Sequence, residues 1–121
     1  MRLRALRGAT TTEANEPGAI VSATEELVRE LMQRNALDVE AMVSAIFTTT
    51  EDLDAEFPAL AARNLGLSAV PLLCAREIPV PGALPRTIRI LVHCYADEST
   101  PSRHVYLREA QTLRRDLEGA Q

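Results

Sequence analysis

Apolar and polar residues alternate loosely from Arg2 to Arg7, which predicts a first strand. The strand runs into Arg7-Gly8-Ala9 and a threonine run, Thr10 to Thr12. Glycine after arginine there suits a bend or a close backbone approach. The period then changes. Asn15-Glu16-Pro17 has the composition of a helix start, and Ile20, Thr24, Leu27, Val28, Leu31 and Met32 follow at helical spacing toward Asn35. Glu25, Glu26, Arg29 and Glu30 fall on the remaining face and read as solvated surface.

Val43 to Thr49 predicts a second strand. Phe57-Pro58 opens a short helix from Pro58 to Leu65, closed by Gly66. Val70 to Ala75 predicts a third strand and Arg86 to Tyr95 a fourth. Alternation on the fourth puts Ile88, Ile90, Val92 and Cys94 on one face and Thr87, Arg89, Leu91, His93 and Tyr95 on the other. Asp97 to Ser102 is a polar turn containing Pro101. His104 to Arg114 alternates less cleanly, with Val105-Tyr106-Leu107 favouring a strand. Residues 115 to 121 are expected to form a mobile tail.

A chain of 121 residues fits one domain, residues 1–121. Aromatics make up 3%, so the core must be aliphatic. A chain this small buries a modest share of its surface, and association with its own copies would help. A net charge of −4, with no basic cluster interleaved with aromatics, argues against nucleic acid as a partner. No run approaches the roughly 20 apolar residues of a membrane span. Met1 is followed by charged residues rather than an apolar run, so no secretory leader is expected. Cys74 and Cys94 lie in apolar strands without metal spacing and read as reduced thiols of a cytoplasmic protein.

All 13 basic side chains are arginine. The absence of lysine excludes a lysine Schiff base and a P-loop lysine. There is no GxSxG, HExxH or nucleotide fingerprint. His93 and His104 have no ligand spacing and read as structural histidines. The acidic run Glu51, Asp52, Asp54, Glu56 suits the first turn of the following helix better than a metal site. Neither metal nor cofactor is expected.

The densest chemistry lies between Val70 and Arg89. Cys74 ends an apolar run, Glu77 follows, and Pro79, Pro81, Gly82 and Pro85 stiffen the loop into the strand that carries Arg89. Two strands joined this way can hold a carboxylate and a guanidinium in fixed relation at a sheet edge. Neither charge can be buried without a partner. Arg7 shares a strand face with Leu3 and Ala5, either at the rim with its head in water or reaching into a site. Several arginines around one pocket suit a small dianion or dicarboxylate, because guanidinium binds carboxylate in bidentate fashion. Composition and periodicity take the reading no further.

In order, and at matching spacing, the chain resembles the small monofunctional chorismate mutases of the trimeric type. The pieces are Arg7-Gly8-Ala9-Thr10-Thr11; Phe47-Thr48 with Glu51-Asp52-Leu53-Asp54 and Phe57-Pro58-Ala59; and Val70-Pro71, Cys74, Glu77, Val80-Pro81-Gly82 and Ile88-Arg89. Arg103-His104-Val105-Tyr106-Leu107 and Leu113-Arg114 with Asp116-Leu117 complete the set. The resemblance implies an α+β fold, a mixed sheet of five strands packed by one long and one short helix. It also implies a trimer closing into a pseudo-α/β-barrel, with active sites at the subunit interfaces.

The implied activity is the cofactor-free rearrangement of chorismate to prephenate in phenylalanine and tyrosine biosynthesis. By the same resemblance, Arg89 stabilises charge on the ether oxygen and Arg7 binds a substrate carboxylate. Glu77 accepts a hydrogen bond from the ring hydroxyl, helped by Cys74, within the binding run Leu73, Cys74, Ala75, Arg76, Glu77. Tyr106 holds the carboxylate side of the enolpyruvyl group. Phe57, Ala59, Leu73 and Leu113 line the pocket, and Arg63 and Arg114 add positive potential at its mouth. Leu60 and Arg115 depart from the pattern, where a basic residue and a proline are expected. Two alternatives carry less of the sequence: an imine-hydrolysing trimeric enzyme of similar shape, and an inactive carboxylate-binding module.

Overall fold

The computed structural model describes residues 1–113. Five strands and two α-helices alternate as β1 (Arg2–Thr11), α1 (Pro17–Arg34), β2 (Met42–Thr49), α2 (Ala59–Asn64), β3 (Leu72–Arg76), β4 (Thr87–Ala96) and β5 (Val105–Tyr106), with short 3-10 turns at Val39–Ala41 and Arg108–Ala110. The strands form one mixed sheet in the order β3-β2-β4-β1-β5. β4 runs antiparallel to both β1 and β2, whereas the outer pairs β2–β3 and β1–β5 are parallel.

Both helices pack on one face of this sheet. α1 buries Ile20, Ala23, Thr24, Leu27, Val28 and Leu31, the stripe its period demands. Leu27, Val28 and Leu31 meet Leu6, Phe47, Ile90, Val92 and Val105 in the main core. Gly8 lets α1 come close: a Cβ there would stand 3.1 Å from Leu27 Cδ1, 3.1 Å from Ile90 Cγ2 and 3.3 Å from the Val105 carbonyl. α2 ends in a left-handed Gly66, φ +92°. The Leu67 amide donates to the Ala62 carbonyl and the Gly66 amide to the Arg63 carbonyl, which satisfies the last turn.

Several expectations need correcting. β1 is longer than Arg2–Arg7, because pairing with β4 continues to Thr11↔Thr87. β5 is only Val105–Tyr106, since the chain turns into the 3-10 segment at Arg108, whose φ is +53°. The acidic run precedes α2 and puts no acidic residue in its first turn. It braces loops instead: Asp52 Oδ2 accepts from the Arg86 amide, and Asn15 Oδ1 accepts from the amides of Asp54 and Ala55. Asn15 is thereby spent on that loop, and Glu16 at the start of α1 makes no side-chain cap. The expected tail and Arg115 lie outside the described residues.

Candidate active site

The sheet face away from α1 and α2 carries a mixture of charged, polar and apolar side chains. Alternation turns Arg7 and Ala9 of β1, Ile46 and Thr48 of β2, and Arg89 and Leu91 of β4 to this side. Together with Glu77, Tyr106 and Leu113 they line a cavity of about 480 Å³. That volume lies in the range of small-molecule pockets. Among the described residues its charged groups are two guanidinium groups and one carboxylate, an arrangement suited to an anionic ligand.

Each charged group is delivered by a defined backbone. Arg89 is the third residue of β4, opposite Thr48 on one side and Ala9 on the other. Glu77 follows the last residue of β3, and its amide donates to the Thr49 carbonyl at 2.9 Å, extending that pairing by one residue. β3 and β4 are not neighbours, because β2 lies between them. The loop from 77 to 86 therefore passes the end of β2, and Glu77 reaches Arg89 across it. The loop is pinned at its far end: the Arg86 Nε–H donates to the Thr12 carbonyl, and the Thr87 hydroxyl donates to the carbonyls of Leu84 and Pro85.

Glu77 Oε1 stands 2.7 Å from Arg89 Nε, with 44% of the Arg89 side chain and 23% of that of Glu77 exposed. The Nε–H is not aimed at that oxygen, so Nε is left without a hydrogen bond despite the short contact. A pair this exposed is worth at most about 1 kcal/mol, weak enough for a ligand to open. Arg89 thus has a carboxylate partner in its own chain, but both lie in the cavity wall rather than sealed in the core.

Arg7 is held through its backbone. Its amide donates to His104 Nδ1 at 3.0 Å, just before the Gly8↔Val105 pairing of β1 with β5. The imidazole must be neutral at Nδ1 to accept that bond. Burial, and then the Arg7 guanidinium, hold the His104 pKa below its usual 6.5. On the same strand pair, Tyr106 lies opposite Ala9.

The remaining expected site residues lie elsewhere in this chain. Phe57, Cys74, Ala75 and Arg76 line a second cavity of about 350 Å³ at the β3 edge, which shares no lining residue with the first. Phe57 and Leu73 are 66% and 60% exposed, large apolar surfaces without a partner among the described residues. Arg76 is occupied, donating to the carbonyls of Thr50 and Leu53. Arg63 is exposed on α2 and lines neither cavity. Ala59 does not line a pocket, because the first turn of α2 points it into the main core. Arg114 falls outside the described residues. Sequence reading missed Ile46, Thr48 and Leu91 as cavity residues. Leu91 shares a strand face with Arg89, a signal that parity carries, whereas Ile46 and Thr48 join them only through the register of β2 with β4.

The model of type I chorismate mutase matches residues 3–117. This chain belongs to the type I chorismate mutase family. It is 52% identical to the chorismate mutase AroH of Thermus thermophilus, over 98% of this chain and 99% of the relative. It is 37% identical to the chorismate mutase AroH of Bacillus subtilis, over 97% and 94% respectively. Its fold matches a chorismate mutase of Clostridium thermocellum with a TM-score of 0.88 at 44% identity, covering 90% of this chain and 98% of that one. The five-stranded α+β architecture agrees with that family, and membership displaces the imine-hydrolase alternative. The chain is thus an isomerase of aromatic amino acid biosynthesis. Among the described residues no cluster of metal-ligating side chains occurs, and no helix is long and apolar enough to cross a membrane.

Proposed function

We propose that the cavity on the open sheet face is the place where this chorismate mutase rearranges chorismate to prephenate. The observation that carries the reading is the convergence of Arg7, Arg89, Glu77 and Tyr106 on one cavity from four separate segments. In the transition state the ether C–O bond lengthens and negative charge builds on its oxygen. A fixed guanidinium aimed there stabilises that charge more than the ground state, which is what accelerates a reaction. Arg89 takes this role. Arg7 binds a substrate carboxylate, and Glu77 leaves Arg89 to accept a hydrogen bond from the ring hydroxyl. The Tyr106 hydroxyl holds the carboxylate side of the enolpyruvyl group, and Leu113 closes the apolar wall. The cavity contributes further by holding the substrate folded, near the geometry of bond formation.

The site is half-built in one chain. We assign Phe57, Leu73, Cys74 and Arg63 to the site of a neighbouring copy, in a trimer that joins the β3 edge of one chain to the open face of the next. What supports this is the exposed apolar surface of Phe57, Leu73, Ile78 and Val80 along that edge. The Cys74 and Cys94 thiols are unpaired, in keeping with a cytoplasmic enzyme. The test is to follow chorismate absorbance with pure protein and to measure mass by sedimentation. Accelerated loss of chorismate and a mass of three chains are expected. A fully active single chain would contradict the shared site.

A further inference from the structure

Two buried polar atoms in the cavity wall have no hydrogen-bond partner among the described residues: Thr48 Oγ1 and Arg89 Nε. The hydroxyl can accept as well as donate, whereas the guanidinium nitrogen only donates. They belong to residues paired directly across β2 and β4. Side chains at such positions stand close enough to interact. The strand order adds a third fact, since Thr48 lies on β2, between the strand that leads to Glu77 and the strand that carries Arg89. A valine would fill the same volume and suit a strand as well. Thr48 is half-buried, but its hydroxyl oxygen is sealed from solvent without a partner among the described residues, which is unfavourable in the empty protein.

We propose that Thr48 is a positioning residue for Arg89, and that its hydroxyl receives the Arg89 Nε–H when Glu77 turns to the substrate. The proposal rests on the functional reading above. In the empty site Glu77 holds Arg89 by charge alone, with Nε–H off line. Once the ring hydroxyl engages Glu77, the guanidinium loses that contact. Thr48 Oγ1 then supplies a neutral acceptor that fixes the plane of the guanidinium. The terminal N–H groups are left free for the ether oxygen, and the positive charge is not offset by a second carboxylate.

The test compares Thr48→Val and Thr48→Ser with wild type, by kinetics, by melting temperature, and by the Nε–H signal of Arg89 in nitrogen NMR with prephenate added. Thr48→Val should lower kcat about 10- to 100-fold, the range for a hydrogen bond to a charged group, with KM changed far less. Its melting temperature should be equal to or above wild type, since a buried unpartnered hydroxyl has been removed. Thr48→Ser should restore kcat to within about threefold of wild type, because the acceptor is kept. Prephenate should slow exchange of the Arg89 Nε–H in wild type and Thr48→Ser but not in Thr48→Val. The proposal is overturned if Thr48→Val keeps wild-type kcat and Nε–H exchange. It is equally overturned if both variants lose activity and melting temperature together, which marks a packing role. Wild-type protein inert toward chorismate would remove the functional reading and this proposal with it, whereas an active wild type with an unaffected Thr48→Val removes this proposal alone.

Discussion

On one face of β4, Ile88, Ile90, Val92 and Cys94 are 0–3% exposed and packed under the helices. On the other, Arg89, Leu91 and His93 are half-buried and Tyr95 is exposed, on the side away from α1 and α2. The two sets alternate residue by residue along a single strand. The covered face is apolar throughout, and its content is packing. The open face mixes charge, hydroxyl and aliphatic groups, and it holds polar atoms that the empty chain leaves unpartnered. A sheet with one packed face offers the other as a rigid plate, on which a strand can aim a guanidinium more firmly than a loop can. Changes on the covered face should therefore act on stability, and changes on the open face on turnover.

The largest test of that division is Phe47→Ala, on the covered face of β2 and 0% exposed. It should cost about 3–5 kcal/mol of stability, a large share of a typical total, while the fraction that stays folded keeps its turnover. Urea denaturation alongside kcat measures both. A turnover loss without destabilisation would blur the two faces. Gly8→Ala comes next. Its Cβ would press on Leu27, Ile90 and the Val105 carbonyl, of which the carbonyl is backbone and yields least. A loss of about 1–3 kcal/mol is expected from overpacking, seen as a lower melting temperature. An unchanged melting temperature would mean that α1 and β5 can back away from β1.

The smallest effect is the pH response of His104, at the seam between the faces. Its folded pKa lies below the usual 6.5, from burial first and the Arg7 guanidinium second. The unfolded chain therefore takes up the proton first as pH falls. The contribution to stability is complete above 6.5 and is lost as pH drops through the lowered folded value. Melting temperature followed from pH 7 downward should fall more steeply in wild type than in His104→Asn. Parallel curves would show that the Arg7 amide does not depend on the neutral ring.

Much of the fold was legible because it follows periods. The α1 stripe and the two faces of β4 each repeat at the spacing of their element. What escaped depends on partners remote in sequence. Asp52 serves the Arg86 amide, and Asn15 serves the loop at 54–55, so neither acts on the nearest helix. The stiff loop between two strands predicts that Glu77 and Arg89 are held in fixed relation, but it does not reveal that β2 lies between those strands. Thr48 was overlooked because a threonine in a strand is ordinary; only its unpartnered hydroxyl sets it apart. The site residues came from family resemblance rather than from pattern. The structure gathers Arg7, Glu77, Arg89, Tyr106 and Leu113 in one cavity and leaves Phe57 and Cys74 at another.

The most direct measurement is kcat of Arg89→Ala, with urea stability measured on the same samples. A loss of at least ~10²-fold is predicted, the scale of removing one donor to a developing negative charge. Stability should change by less than about 1 kcal/mol, since the side chain sits in an exposed ion pair. A loss under tenfold in a protein that remains folded would contradict the assignment of Arg89 to the ether oxygen.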